Sequence, residues 1–387
     1  MAIPLKYNIG NLKSRKFSTL MTVFGIGIVI AVMVAMMALY NGVQGALVSS
    51  GSDENLMVLR EGAQTESTSW VTREKFNILR SLPGIERSST GDPLASPELV
   101  MIFKLPRHDN PTGSNVNVRG VTAKALEVRP YMKIVEGRMF RSGTNELIVS
   151  RRLQKRLVNT ALGSTLKLGP RPWTIVGVFD GANTSFDSEI WADVDYLGQV
   201  QNRPEYSSVV LRPDSAGSFK RIGDAIATDP RLKLQSKSEK KYYDDQTIGL
   251  LGIKILVTIV AFFMVLGATL GAMNTMFSAV ASRKRELATL RALGFKRRAV
   301  LLSVVVESTV LSAAAGVLGV IMALPVNGIA TGTANFVTFS EVAFNFTISP
   351  QVALFAIALA IVAGVIGGLL PAIAAARQPI AQALREI

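Results

Sequence analysis

The chain contains no cysteine and a single histidine. Without thiols it has neither a disulfide nor a thiolate metal site. His108 stands in a polar, proline-flanked stretch, LPRHDNPTG, with none of the partners a metal site needs, and is expected in a solvated loop. No G-x-x-x-x-G-K-[ST], H-E-x-x-H or G-x-S-x-G occurs, and the carboxylates are scattered. The sequence therefore offers no phosphate loop, zinc-protease helix or nucleophile elbow, and no catalytic, cofactor-binding or metal-binding residue is assigned.

What is present is grease and positive charge. Of 387 residues 49% are hydrophobic and 18% charged, and the net charge is +14. That mixture is too apolar for an average soluble protein and too charged for a purely lipid-buried bundle. Nucleic acid is rejected as a partner because the basic residues cluster beside apolar runs, as membrane topology requires. Four runs approach or exceed the 20 or so apolar residues that span a bilayer as helix. They give transmembrane helices within 18–44, 246–281, 299–324 and 351–376. The first run is longer than a signal-peptide core and is read as a retained anchor.

Orientation follows from Lys and Arg. Lys6, Lys13, Arg15 and Lys16 precede the first span, and seven basic residues fill 282–298, between spans two and three. Arg377 and Arg385 follow span four, whereas 325–350 has no Lys or Arg. One topology satisfies this pattern: both termini (1–17 and 377–387) and 282–298 in the cytoplasm, with 45–245 and the short loop 325–350 outside. The reverse would cost about 2.5–3.5 kcal/mol for each arginine placed in the bilayer.

The outside segment alternates strand-like runs (NLMVLR, LVMIFK, VNVRGVT, ELIVS, STLKLG, WTIVGVFD, SSVVLRP) with helix-like ones at 71–82, 151–157 and 215–227. Thr72 is placed to cap the first helix. The fold class is thus a polytopic α-helical membrane protein with four transmembrane helices and a large α+β extracytoplasmic domain between helices 1 and 2. Helices at both ends and a strand-rich centre suggest two lobes. SEKKYYDDQ (238–246) reads as the polar start of span two, a rigid stalk.

Within the spans, Gly267 and Gly271 form a G-x-x-x-G, read as a helix-packing face. Glu307 is the acid well inside a span, read either as pairing with Arg298 or a neighbour near the cytoplasmic end or as an interhelical polar contact. Pro371 is expected to bend or end span four. In SRKRELATLRALGFKRR (282–298), Leu287, Leu290 and Leu293 recur every three residues on a helix stopped by Gly294. The reading is a short helix on the inner leaflet that presents an apolar strip centred on Leu290.

This stretch resembles the coupling region of FtsX-like ABC-transporter permeases, the group that includes MacB and LolC. LKYNIGNLKSRKFSTLMTVFGIGIVIAVMV resembles the family's amphipathic leading helix and first span. VRGVTAKALEVRPYMKIVEGRMF, ELIVSRRL and WTIVGVFD resemble the MacB-type periplasmic core domain, and GGLLPAIAAARQPIAQALRE resembles the family ending, with Pro371, Pro379 and Leu384 in matching places. The resemblance implies a bacterial inner-membrane permease subunit working as a pair of identical or paralogous chains. A cytoplasmic ABC ATPase dimer, on separate chains because no phosphate loop occurs here, would bind ATP and magnesium. Glu286, Leu287, Leu290, Arg291, Leu293 and Gly294 would form the ATPase-coupling element. MacB-like export with a periplasmic adaptor and an outer-membrane channel is the leading expectation. LolC-like extraction of lipoproteins or lipids, and FtsX-like regulation of cell-wall hydrolases, are the alternatives.

Overall fold

The computed structural model describes residues 16–108, 111–334 and 338–380. Most of the leading helix expected at 1–17, and the tail from 381 onward with Leu384, lie outside the described residues. The described chain forms two compact units, one comprising 42–251 with 330–344 and the other the remainder.

The remainder is built on long apolar helices. In chain order the helices are α1 (Lys16–Val48), α2 (Arg73–Arg80), α3 (Lys124–Val128), α4 (Arg151–Arg156), α5 (Val194–Val200), α6 (Ala216–Thr228), α7 (Glu239–Gln246), α8 (Leu251–Ala281), α9 (Lys284–Ala292), α10 (Arg297–Ala323) and α11 (Pro350–Arg377). Among the described residues, four helical stretches are long and apolar enough to cross a membrane: Thr19–Val48, Glu239–Ala281, Arg297–Val326 and Pro350–Arg377. α11 continues past Pro371 to Arg377, so this proline does not end it. Ser349 caps its start by accepting from Val352 N–H, and Pro350 follows at a position where no N–H is needed.

Small residues let α11 approach both α10 and α8 closely. A methyl group at Gly316 would stand 3.0 Å from Ala360 Cβ, and one at Gly367 would stand 2.6 Å from the Thr269 carbonyl oxygen. Ser308 Oγ donates to the Gly364 carbonyl at 2.7 Å, satisfying its hydroxyl inside the bundle. The packing face expected on α8, Gly267 and Gly271, stays open within this chain among the described residues. Added methyls at Gly267 and Gly271 would meet nothing within 4 Å, and α8 packs instead through Ala268 and Ala272. Each alanine follows a glycine by one residue, so these two lie about 100° around the helix from the G-x-x-x-G ridge.

The α+β unit contains a ten-stranded sheet. Its strands are β1 (Leu56–Arg60), β2 (Ala95–Leu105), β3 (Ser114–Val121), β4 (Lys133–Gly137), β5 (Glu146–Ser150), β6 (Thr165–Leu168), β7 (Arg171–Asp180), β8 (Glu189–Asp193), β9 (Ser208–Leu211) and β10 (Leu234–Ser238). The order is β10-β1-β9-β2-β3-β8-β5-β7-β4, with β6 on β7. The two-lobed expectation becomes one hydrogen-bonded sheet, because β2 serves both halves: Ala95–Glu98 pair with β9 and Leu99–Leu105 with β3. Side-chain caps set the helix starts, Thr72 accepting from Lys75 N–H, Ser150 from Leu153 and Ser238 from Lys241.

Two features depart from the sequence reading. The loop 325–350 carries two further strands, β11 (Ala330–Ala334) and β12 (Glu341–Asn345), which pair as a two-stranded sheet. Residues 330–344 of it belong to the α+β unit, which is therefore not drawn from the segment between spans one and two alone. The stalk is not one regular helix either: α7 tightens into a 3-10 turn over Thr247–Leu250 before α8 begins.

Candidate functional site

The turn from α8 to α10 concentrates polar contacts. Arg283, at the start of α9, is buried, and its Nη1 donates to Glu307 Oε2 at 2.8 Å. Its Nε donates to Glu286 Oε2 at 3.2 Å. Glu307 thus makes an interhelical contact, and the partner is Arg283 rather than Arg298. The opposite end of α9 is held by Arg291, whose Nη1 donates to the carbonyls of Ala376 (3.2 Å) and Gln378 (2.7 Å). These carbonyls lie at the C-terminal end of α11, where unsatisfied acceptors and the helix dipole favour a cation.

Gly294 has φ +97 and closes α9 with paired hydrogen bonds, Gly294 N–H to Arg291 O (3.1 Å) and Phe295 N–H to Leu290 O (3.2 Å). This is the Schellman arrangement that a left-handed glycine allows.

The outward apolar strip expected of α9 is corrected. Leu287 is 3% exposed and packs with Met276, Val280, Val300, Val304 and Ala372, and Leu290 is half-buried against the same cluster. Leu293, past the last turn, is 71% exposed. Three-residue spacing advances a helix by about 300°, so successive leucines drift around it rather than lining one face. The outward surface of α9 and its stop is Arg285, Glu286, Thr289, Ala292, Leu293 and Gly294. Of the predicted coupling residues, Glu286, Leu293 and Gly294 lie on that surface, while Leu287, Leu290 and Arg291 hold α9 to the spans. Arg283, absent from the predicted set, is central to the anchoring; its signal was its place at the boundary of an apolar run.

The α+β unit holds a second polar centre that the sequence did not disclose. Arg119 in β3 pairs with Glu66, Glu98 and Glu189 at 2.7 Å each, and Arg129 pairs with Glu98 (2.6 Å) and Glu239 (2.7 Å). All six side chains are buried. Burial pushes the Glu66 carboxyl up despite Arg119. Burial opposes ionisation of Glu98 too, but Arg129 and Arg119 together hold it below the usual carboxylate range. Glu239 is the first residue of α7, so this network fixes where the stalk begins. Beside it, Asn117 Oδ1, Ser185 Oγ and Tyr243 OH, which have no hydrogen-bond partner among the described residues, belong to residues lining a cavity of ≈ 30 Å³. That volume suits one or two waters.

Comparison with known proteins places both units. The family description "MacB-like periplasmic core domain" matches residues 19–228, and "FtsX-like permease C-terminal" matches 258–380. The Bacillus subtilis (strain 168) protein described as the uncharacterized ABC transporter permease YknZ is 25% identical, the match covering 98% of each chain. The pyoverdine export ATP-binding/permease protein PvdT of Pseudomonas fluorescens (strain Pf0-1) is 27% identical, over 94% of this chain and 56% of PvdT. The macrolide export ATP-binding/permease protein MacB of Pasteurella multocida (strain Pm70) is 25% identical, over 94% of this chain and 57% of MacB. The chain thus spans nearly all of YknZ but little more than half of the two ATP-binding/permease proteins.

Proposed function

The chain belongs to the ABC-transporter permeases of the MacB/FtsX-like type, and from that premise we propose that it converts ATP-driven motion of a separate ABC ATPase into movement of its α+β domain. It works as one of two permease chains, identical or paralogous, in the inner membrane, with the ATPase on the cytoplasmic side and the α+β domain in the periplasm. ATP and magnesium are held by the ATPase.

The observation that carries this reading is the mounting of α9. Arg283 ties its start to α10 and Arg291 ties its end to α11, while Arg285, Glu286, Thr289 and Leu293 face outward. A short helix gripped at both ends cannot move without moving the span helices. A buried ion pair is a stiff joint, since separating it strands charge. Its outward face mixes charge with one large apolar side chain, a composition suited to a protein groove rather than to lipid alone.

Export is favoured as the task because two of the compared relatives are described as export proteins. We extend that to a MacB-like machine working with a periplasmic adaptor and an outer-membrane channel. Purification of the tagged chain from native membranes, followed by mass spectrometry, tests the assignment. An ABC ATPase with an adaptor is the expected result. A lipoprotein carrier would point to LolC-like extraction, a cell-wall hydrolase to FtsX-like regulation, and recovery of no ATPase would contradict the permease mechanism.

A further inference from the structure

The segment joining α10 to α11 has no Lys or Arg, and its one acid is Glu341. The α+β unit supplies both counterions. Arg107 Nη1 donates to the two Glu341 carboxylate oxygens at 2.9 and 3.1 Å, and Arg156 Nη2 donates to Oε1 from the other side. Arg107 follows β2 and Arg156 ends α4; the bridge between Arg107 and Leu157 holds them side by side. Across the hairpin, Gly332 leaves this space open. A methyl there would collide with the Glu341 carboxylate and the Arg156 guanidinium.

The grip extends along β12 and the turn before it. Ala343 N–H donates to Ser188 Oγ at 2.5 Å, and Asn115 Nδ2 donates to the Phe339 carbonyl at 3.0 Å. Val342, Ala343 and Phe344 are buried. Apolar burial beside a paired, largely desolvated carboxylate describes a permanent attachment and not a flap in exchange with water.

The consequence is mechanical. The chain passes between the two units four times, at 41/42, 251/252, 329/330 and 344/345. Two of these passes flank the hairpin. A body held only through α1 and the α7–α8 connection could turn about that connection; one also held through the hairpin follows α10 and α11 as well. We infer that Glu341 is the positioning residue that fastens the α10–α11 connection to the α+β domain, so that movement of these two helices is delivered to the domain directly. The inference rests on the transmission reading above.

The absence of cysteine allows a clean test in the full chain assembled with its ATPase. Spin labels at Lys167→Cys and Ser282→Cys report the distance between domain and coupling turn, with and without ATP. The unaltered protein should show an ATP-dependent distance change; its absence there would overturn the transmission reading itself. Glu341→Arg should shrink that change by half or more while ATP hydrolysis and ATPase co-purification persist, and Arg107→Glu with Arg156→Glu should restore it in the Glu341→Arg background. A change of full size in Glu341→Arg, or no rescue, would overturn the fastening role. Should Glu341→Arg fail to fold, a Ser188→Cys/Ala343→Cys disulfide decides instead. With the hairpin locked, the ATP-dependent change should survive, because the fastening is permanent. Its loss on oxidation and return on reduction would show that the hairpin must let go, contradicting the inference.

Discussion

Arg283 Nη1 lies 2.8 Å from Glu307 Oε2, joining the start of α9 to the interior of α10, with both side chains largely removed from solvent. Removing one partner leaves the other charge buried and uncompensated, at a cost of roughly 3–5 kcal/mol. Arg283→Ala and Glu307→Ala should each lower the melting temperature in detergent strongly. The double variant Arg283→Met/Glu307→Leu should be milder than either, because no charge is stranded. A double variant as damaged as the sum of the singles would show that the two residues act independently.

The two glycine sets on the spans should behave oppositely. Gly364→Leu forces side-chain atoms into Ser312 and the Ser308 carbonyl, whereas Gly271→Leu enters open space. Overpacking costs about 1–3 kcal/mol or more. Gly364→Leu should therefore reduce folded yield and melting temperature, and Gly271→Leu should leave both within error in the isolated chain. Equal sensitivity would contradict the packing described here.

The four spans were legible because a bilayer-length apolar run has few other interpretations. The longer or cleanly patterned elements were legible too, as with β7, where Trp173 and Ile175 share one side ahead of a bulge at Val176. β8 was missed because Glu189–Asp193 is a five-residue strand buried along its whole length with an acid at each end, so neither alternation nor apolarity marks it. Glu189 makes sense only beside Arg119, a contact from elsewhere in the chain, while Asp193 caps α5 by accepting from Tyr196 N–H and also accepts from the distant Ser142. The β11–β12 hairpin was hidden for the same reason: Glu341 looks like a loop acid until Arg107 and Arg156, far away in sequence, are brought to it. On α9, residue types and the Gly294 stop were readable, but which leucines face inward depended on packing against α8, α10 and α11.

Acid should act partly through Glu146. Its carboxylate is held down to about 2 from an ordinary 4.5, chiefly by the Arg138 guanidinium and aided by the Arg141 N–H. A depressed folded-state value means stability that is present above about 4.5 and lost as pH falls toward about 2. The gap in melting temperature between the unaltered chain and Glu146→Gln should close across that window. A gap that stays constant down to the lower limit would contradict the assignment.

Sidedness is open to direct chemical test in a chain without cysteine. His108→Cys should react with an impermeant thiol reagent in cells with a permeabilised outer membrane, and Lys296→Cys should react only after the inner membrane is opened. The opposite pattern would reverse the proposed topology and move α9 away from any cytoplasmic ATPase.

The central claim is that the outward face of α9 seats an ATPase, and Leu293 is its most exposed large apolar side chain, at 71%. Leu293→Asp changes that face without touching the cluster around Leu287, so folded yield and melting temperature should hold. Burying an unpaired carboxylate at an interface is costly, and a loss of even 1.4 kcal/mol weakens binding about tenfold. The deciding measurement is the ATPase affinity of the purified chain, with Leu293→Asp beside the unaltered protein. The account predicts a loss of about tenfold or more. Unchanged affinity in Leu293→Asp, and again in Leu293→Asp/Thr289→Arg, would show that the ATPase does not bind this face of α9.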